Sequence, residues 1–402
     1  MIGPSGKEGK DEEPTFVEEG TELLREEPLA AVPLAAHCGS KYISSSAVCY
    51  GCLRPLRGRP PRDHGGGGGE EEALPPPPPL PEGAVLHPSE PSAPPRTFCS
   101  SSCLASSLSD FYRIEAETPG GFRELEESCT RNGERFPRIA ARLFAKKLLG
   151  AVDEVEEKEE EEENEKAAEE IVNSTREAQE ALSALCFARV SPPYPPSWVE
   201  THAAFVQGLE RWAAEKRNKE KKDKSFSSSS LSSLSLPSLI AETVSLDAWA
   251  ATLARIHLNA FRVDAVWPAT TREELMASML SSLVGSASKG SSSSSSSSFS
   301  SDDDDPGEQA GTAVYAAASL ANHSCYPSAR PSFPRANSTL ALVATRDLLE
   351  KEEVTISYVD ESLPLRTRRA SLEFGYGFFC TCARCLAEER EEEEGKKGGG
   401  GG

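Results

Sequence analysis

Apolar residues recur along this chain with two different periods. In "FPRIAARLFAKKLLG" the residues Ile139, Leu143, Leu148 and Leu149 fall near one helical face, and the pattern predicts a helix ending at Gly150. "SWVETHAAFVQGLERWAAEKR" and "LDAWAATLARIHLNAFRVDAV" are spaced in the same way. Within the second, "FRVDAV" alternates as a strand does. "GTELLREEPLAAVPLA" (20–35) has no helical period and predicts one or two strands. "AVYAAASLANHSC", "TLALVATRDL" and "EEVTISYVD" predict short strands joined by tight loops. No internal repeat is visible. The expected fold class is α+β: a core of short strands, split by a helical insert from about 105 to 285, with cysteines at both ends.

Between these patterns lie stretches that predict no element. Residues 65–83 read "GGGGGEEEALPPPPPLPEG", and residues 151–170 carry 12 acidic and 2 basic side chains. Residues 225–238 are mostly serine, 286–305 run from serine into "DDDD", and the end of the chain is "EEEEGKKGGGGGG". Such compositions lack the apolar area that offsets ordering entropy, so they are expected to be disordered. Of the 402 residues, enough remains for one sizeable core with small satellites. The net charge of −21 belongs mostly to these stretches, since 151–170, 302–305 and 387–397 together contribute −17. It therefore describes solvated linkers rather than a folded acidic face, and it argues against binding a nucleic-acid backbone.

No apolar run approaches the roughly 20 residues that span a bilayer. The first residues, "MIGPSGKEGKDEEP", lack both an apolar signal core and the basic character of a transit peptide. The expected setting is intracellular, in the nucleus or cytoplasm, where the 11 cysteines read as metal ligands or free thiols rather than disulfides. Their spacing points to ligands. Cys49 and Cys52 form C-x2-C, Cys99 and Cys103 form C-x3-C, and Cys380, Cys382 and Cys385 form C-x-C-x2-C. The first two pairs make a complete four-cysteine zinc set, since a long intervening loop adds little closure entropy. The C-terminal trio is one ligand short. Cys325, alone in "SLANHSCYPSARP" among turn residues, is a candidate for the fourth; otherwise it is a free thiol. Cys38, Cys129 and Cys186 are scattered and read as small buried hydrophobes.

"NHSCYP", then "KEEVTISYVD", then "YGFFCTCARC" resembles the C-terminal half of a SET domain with its post-SET cysteine motif. The order resembles that of split SET proteins of SMYD-like organisation. "VCYGCLRPL" and "FCSSSC" look like a reduced MYND-type zinc module, and "LARIHLNAFRVD" has a counterpart in trithorax-related SET proteins of plants and algae. The resemblance implies N-terminal SET strands over 15–48, a MYND-like module with a low-complexity loop over 49–104 and a helical insert with acidic and serine-rich linkers over 105–285. A linker over 286–309, the SET core over 310–361 and the post-SET zinc motif over 362–390 follow.

The same resemblance implies S-adenosylmethionine-dependent methylation of a lysine on a protein substrate, a histone tail or a non-histone protein. The enzyme would be a monomer that binds neither nucleic acid nor membrane. Asn322, His323, Asn259 and Phe378 would contact the cofactor, and Tyr358 and Tyr376 would line the lysine channel. Cys325 would complete the zinc site of Cys380, Cys382 and Cys385. The chemistry is consistent with these residue types. The attacking amine must be neutral although free lysine has a pKa of about 10.4, and both an apolar channel and a nearby sulfonium disfavour the ammonium. A tyrosine hydroxyl then needs only to orient the lone pair, while water takes the proton. Without the resemblance, His323 and Tyr358 read as ordinary core residues, and His323 as the holder of a turn.

The chain departs from the family in four places. The glycine-rich strand that usually opens the domain is not evident before "GTELL", which implies a truncated chain or a degenerate site. Ser328 replaces an asparagine, and Lys351 replaces a turn glycine that would supply a positive φ cheaply. The MYND-like module has ligands for one zinc, not two. These departures support an alternative: a catalytically weak SET-like zinc protein that acts as an interaction module.

Overall fold

Among the described residues, strands come first, helices fill the middle, and a second group of short strands is followed by two closing helices. The structure is a computed structural model describing residues 16–34, 48–56, 80–87, 96–157, 180–222, 236–264 and 309–398. In chain order the first elements are β1 (Phe16–Val17), β2 (Glu22–Glu26), β3 (Ala30–Pro33), β4 (Val85–His87) and β5 (Arg96–Phe98). Helices α1 (Ser101–Ser107), α2 (Arg113–Glu117), α3 (Arg123–Asn132), α4 (Phe136–Glu157), α5 (Pro196–Lys222), α6 (Leu236–Thr243) and α7 (Leu246–Asn259) follow. The remainder comprises β6 (Ala260–Asp264), β7 (Gln309–Val314), β8 (Asn322–His323), β9 (Ala329–Ser332), β10 (Leu340–Ala344), β11 (Leu348–Leu349), β12 (Thr355–Ile356), α8 (Leu365–Tyr376) and α9 (Ala383–Gly398).

The chain divides into two units, each discontinuous in sequence. The first holds described residues within 16–26, 320–332 and 340–398. Its central sheet is antiparallel in the order β2-β10-β9, with Leu24 opposite Leu342 and Arg330 opposite Val343. β1 pairs with β11, and β8 pairs in parallel with β12, placing Asn322 opposite Thr355 and His323 opposite Ile356. Ser328 is fully buried. Its hydroxyl accepts from the Thr355 amide at 2.8 Å and donates to the Glu353 carbonyl at 3.1 Å, so the serine does its work through one short side chain. Lys351 has φ 68°, the left-handed conformation expected where a glycine would serve more cheaply.

The second unit holds described residues within 27–319 and 333–339. Its sheet is antiparallel in the order β3-β7-β6. β7 is buried along its whole length, and at Gly311 the neighbouring backbone lies close. A Cβ on Gly311 would run into the Val32 carbonyl oxygen and meet Leu53 Cδ1 at 2.8 Å. The helices pack around Trp249, stacked on Phe144 at 5.8 Å and on Phe205 at 5.3 Å. Arg142 of α4 donates to the Tyr50 carbonyl at 3.0 Å and to the Ala31 carbonyl, and its guanidinium lies 4.3 Å from the Tyr50 ring centroid. It thus ties a helix, a strand and a cysteine turn together.

Several expectations need correction. α4 does not stop at Gly150 but continues to Glu157. A helical glycine costs roughly 1 kcal/mol, and burial of Val152 one turn beyond Leu148 and Leu149 offsets it. The acidic end of the chain is helical through Gly398 rather than disordered, because α9 starts on a cysteine cluster and pairs with α8 through Arg368–Glu388 and Arg369–Glu389. "AVYAAASLANHSC" is short strands and a loop as expected, running from the end of β7 through one 3-10 turn at Ala318–Leu320 to β8. Cys129 is buried as expected, whereas Cys186 is exposed in an irregular stretch where its carbonyl, not its thiol, is used. Cys38 and most of the stretches expected to be disordered lie outside the described residues, as does most of the segment before "GTELL". Among the described residues, no helix is long and apolar enough to cross a membrane.

Candidate active site and metal centres

Among the described residues, two clusters of four cysteines form. In each, the four sulfurs lie within 4.8 Å of one another. The first belongs to the second unit and joins Cys49, Cys52, Cys99 and Cys103. A tight turn, with Cys49 N–H on the Arg54 carbonyl and Leu53 at φ 62°, presents Cys49 and Cys52. Ser100 caps α1 by accepting from the Cys103 amide at 3.1 Å, which orients Cys103, and the Cys99 amide donates to the Cys49 sulfur at 3.3 Å. The pairs Cys49–Cys103 and Cys52–Cys99 are each 3.6 Å apart.

The second cluster, in the first unit, joins Cys325 to Cys380, Cys382 and Cys385. Cys325 lies 3.5 Å from Cys385 and 4.0 Å from Cys380, sulfur to sulfur. A disulfide needs about 2.05 Å, whereas tetrahedral zinc with bonds of about 2.3 Å spaces its sulfurs about 3.8 Å apart. Four thiols this close cannot all ionise without a cation among them. Donor set and spacing both fit zinc, and Cys325 lies where it would be the fourth ligand of the C-terminal set.

The second cluster is surrounded by arginines that spacing arguments did not single out. Arg368 of α8 is 1% exposed; its Nη2 lies 3.7 Å from the Cys385 sulfur and donates to Glu388 at 2.6 Å. Arg384 donates to the Cys325 carbonyl at 2.9 Å and Arg369 to the Cys380 carbonyl at 3.1 Å. A zinc ion with four thiolates carries two net negative charges, so a buried guanidinium at the sulfurs offsets part of their desolvation cost. The signal was present in "LRTRRASLEF". Arg368 and Arg369 sit on the same helical face as Leu365 and Leu372, which is where an unusual cation would be sought.

Next to this cluster four rings converge. α8 ends at Tyr376 on Gly377, whose φ of 74° turns the chain back and sets Phe378 and Cys380 beside Leu365 and Leu372. The Tyr358 ring lies 4.7 Å from Tyr376, 5.2 Å from His323 and 6.5 Å from Phe378, while His323 lies 5.9 Å from Phe378. The Tyr358 hydroxyl donates to the Ala321 carbonyl at 2.6 Å. Asn322 is exposed, and its amide donates to Glu353 at 2.7 Å. Burial raises the Tyr376 phenol above its usual pKa, so it stays a hydroxyl at neutral pH. Burial first, and the nearby Arg368 charge second, hold His323 down to about 4, which leaves it neutral. Asn259 belongs to the other unit, where its amide nitrogen donates to the Cys186 and Arg255 carbonyls at 2.7 Å each.

A strand-built core, a helical insert and two four-cysteine clusters define a split domain with its own zinc module. The SET domain family matches residues 144–359, more than half of the chain, and the chain belongs to that family. It is 33% identical over 137 residues to histone-lysine N-methyltransferase ATXR4 of Arabidopsis thaliana, covering 34% of this chain and 35% of the relative. A SET and MYND domain-containing protein of Dictyostelium discoideum is 22% identical over 290 residues, 72% of this chain and 63% of that one. Protein-lysine N-trimethyltransferase SMYD5 of Homo sapiens is 40% identical over 81 residues, 19% of each. In each case the match spans less than two thirds of the relative's own length. With a cysteine cluster upstream of the SET core and these relatives, the chain has a SMYD-like split organisation.

Proposed function

We propose that this chain is an S-adenosylmethionine-dependent protein-lysine N-methyltransferase whose substrate is a histone tail or a non-histone protein, acting in the nucleus or cytoplasm. The relatives named for histone-lysine and protein-lysine methyl transfer support the reaction class. The observation that carries it is the placing of Tyr358. Its ring faces Tyr376 at 4.7 Å, and its hydroxyl is fixed to the carbonyl of Ala321, next to Asn322 and His323.

The residues suit the group they would receive. Aromatic faces, a phenolic oxygen and a backbone carbonyl are electron-rich groups suited to a neighbouring cationic sulfonium. S-adenosylmethionine, when bound, supplies an electrophilic methyl group. Tyr358 and Tyr376 would hold the lysine side chain between two rings and exclude water from the stem. Desolvation there favours the neutral amine, whose proton leaves to solvent. The Tyr358 hydroxyl would orient the lone pair, so that alignment rather than strong base catalysis supplies most of the rate. The exposed amide of Asn322 and the ring of Phe378 would contact the polar and aromatic parts of the cofactor.

The test is incubation of the full chain with a radiolabelled methyl donor and a panel of histone and non-histone proteins, with Tyr358→Phe beside it. Label on protein lysine that disappears in the variant supports the proposal. Equal background labelling in both overturns it.

A further inference from the structure

Of the four rings, His323 is the one whose both edges are bonded to the protein. Its position follows from the β8–β12 pairing, which sets it opposite Ile356 and brings the next turn, Tyr358, over its edge. The Tyr358 amide lies 3.0 Å from Nδ1. A backbone amide can only donate, so Nδ1 must be the bare nitrogen. With Nδ1 bare, the ring's proton sits on Nε2, which lies 3.2 Å from the Cys325 sulfur. A thiolate can only accept. Both bonds are satisfied by one tautomer and one ring orientation; flipping the ring would put carbon against the Tyr358 amide and leave that donor unmet.

We infer that His323 is a positioning residue: as the Nε2–H tautomer it ties the metal-bound sulfur of Cys325 to the backbone of Tyr358. The inference rests on the zinc reading of the second cluster and on the role proposed for Tyr358. The consequence is mechanical. The same metal that gathers Cys380, Cys382 and Cys385 fixes, through one imidazole, where the tyrosine backbone sits. It also gives the thiolate a donor, as outer partners of metal ligands generally do.

The test uses the full chain with cobalt(II) in place of zinc at both clusters. An N–H donor draws charge from a coordinated sulfur and moves the sulfur-to-cobalt absorption band to higher energy. His323→Asn keeps an acceptor near the Tyr358 amide but has no donor that reaches the sulfur, whereas the longer His323→Gln reaches it. The band is expected to move to lower energy in His323→Asn and to stay in His323→Gln, with the first cluster contributing the same background in both. Loss of one cobalt per chain from His323→Asn alone also supports the link. Identical bands and metal content in both variants overturn it. If the wild-type chain transfers methyl groups and the bands are identical, this inference alone fails. If the bands differ and no methyl transfer is found, the proposed activity fails while the link to the metal stands.

Discussion

Tyr358 carries two bonds that place it, one from its amide to His323 and one from its hydroxyl to Ala321. Tyr358→Phe removes the second and keeps the ring. We expect methyl transfer to fall by about 100-fold, the scale of a small misplacement at a reacting centre. Bound S-adenosylmethionine, measured by equilibrium dialysis, should be retained. A variant that transfers methyl groups at the wild-type rate would remove the hydroxyl from the mechanism. A second residue tests the backbone rather than the chemistry. Lys351 sits at φ 68° in an exposed turn. A left-handed conformation costs a non-glycine residue about 1–2 kcal/mol, part of which a glycine gives back by loosening the unfolded chain. Lys351→Gly is therefore expected to stabilise by about 0.5–1 kcal/mol in urea unfolding. A loss of stability would mean that the turn is not strained.

Among the elements, α4 has the most to hold. Its Arg142 is 6% exposed, lies 4.0 Å from the Phe111 ring centroid and bonds the carbonyls of Tyr50 and Ala31. Arg142→Ala leaves those carbonyls without this donor and removes the packing on Tyr50. We expect a loss of about 2–4 kcal/mol, read as a lower urea midpoint. A change below about 0.5 kcal/mol would mark the clamp as incidental. This scale also shows how much of the fold could be read from the chain. The helix faces around Ile139, Leu148 and Trp249 were legible because burial repeats with the helical period. The strands at Glu22–Glu26 and Ala30–Pro33 were legible as a run without that period. The pairing of β2 with β10 was not, since the partners lie hundreds of residues apart and pattern says nothing of partner choice. The end of α4 was misplaced because local propensity at Gly150 lost to tertiary burial.

A metal held at the second cysteine cluster would act on the molecule as a whole. The ligand set of the C-terminal trio was legible as incomplete, and Cys325 was legible as a candidate because it stood alone in a turn. Arg368 was missed, since its burial goes with α9 packing back over α8, where Cys385 of α9 comes within 3.5 Å of the distant Cys325. Cys325→Ala is expected to halve bound zinc, measured by atomic absorption on the purified chain, and to lower the helical signal from α8 and α9. Full zinc content in that variant would mean that the cluster closes without Cys325.

A metal at Cys325, Cys380, Cys382 and Cys385 would build the cofactor site around Tyr358, Tyr376 and Phe378. Calorimetric titration of S-adenosylmethionine into the zinc-loaded chain and into Cys325→Ala tests it most directly. Binding to the loaded chain is expected, with a loss of at least about tenfold, or roughly 1.4 kcal/mol, in the variant. Equal affinity in both would contradict it.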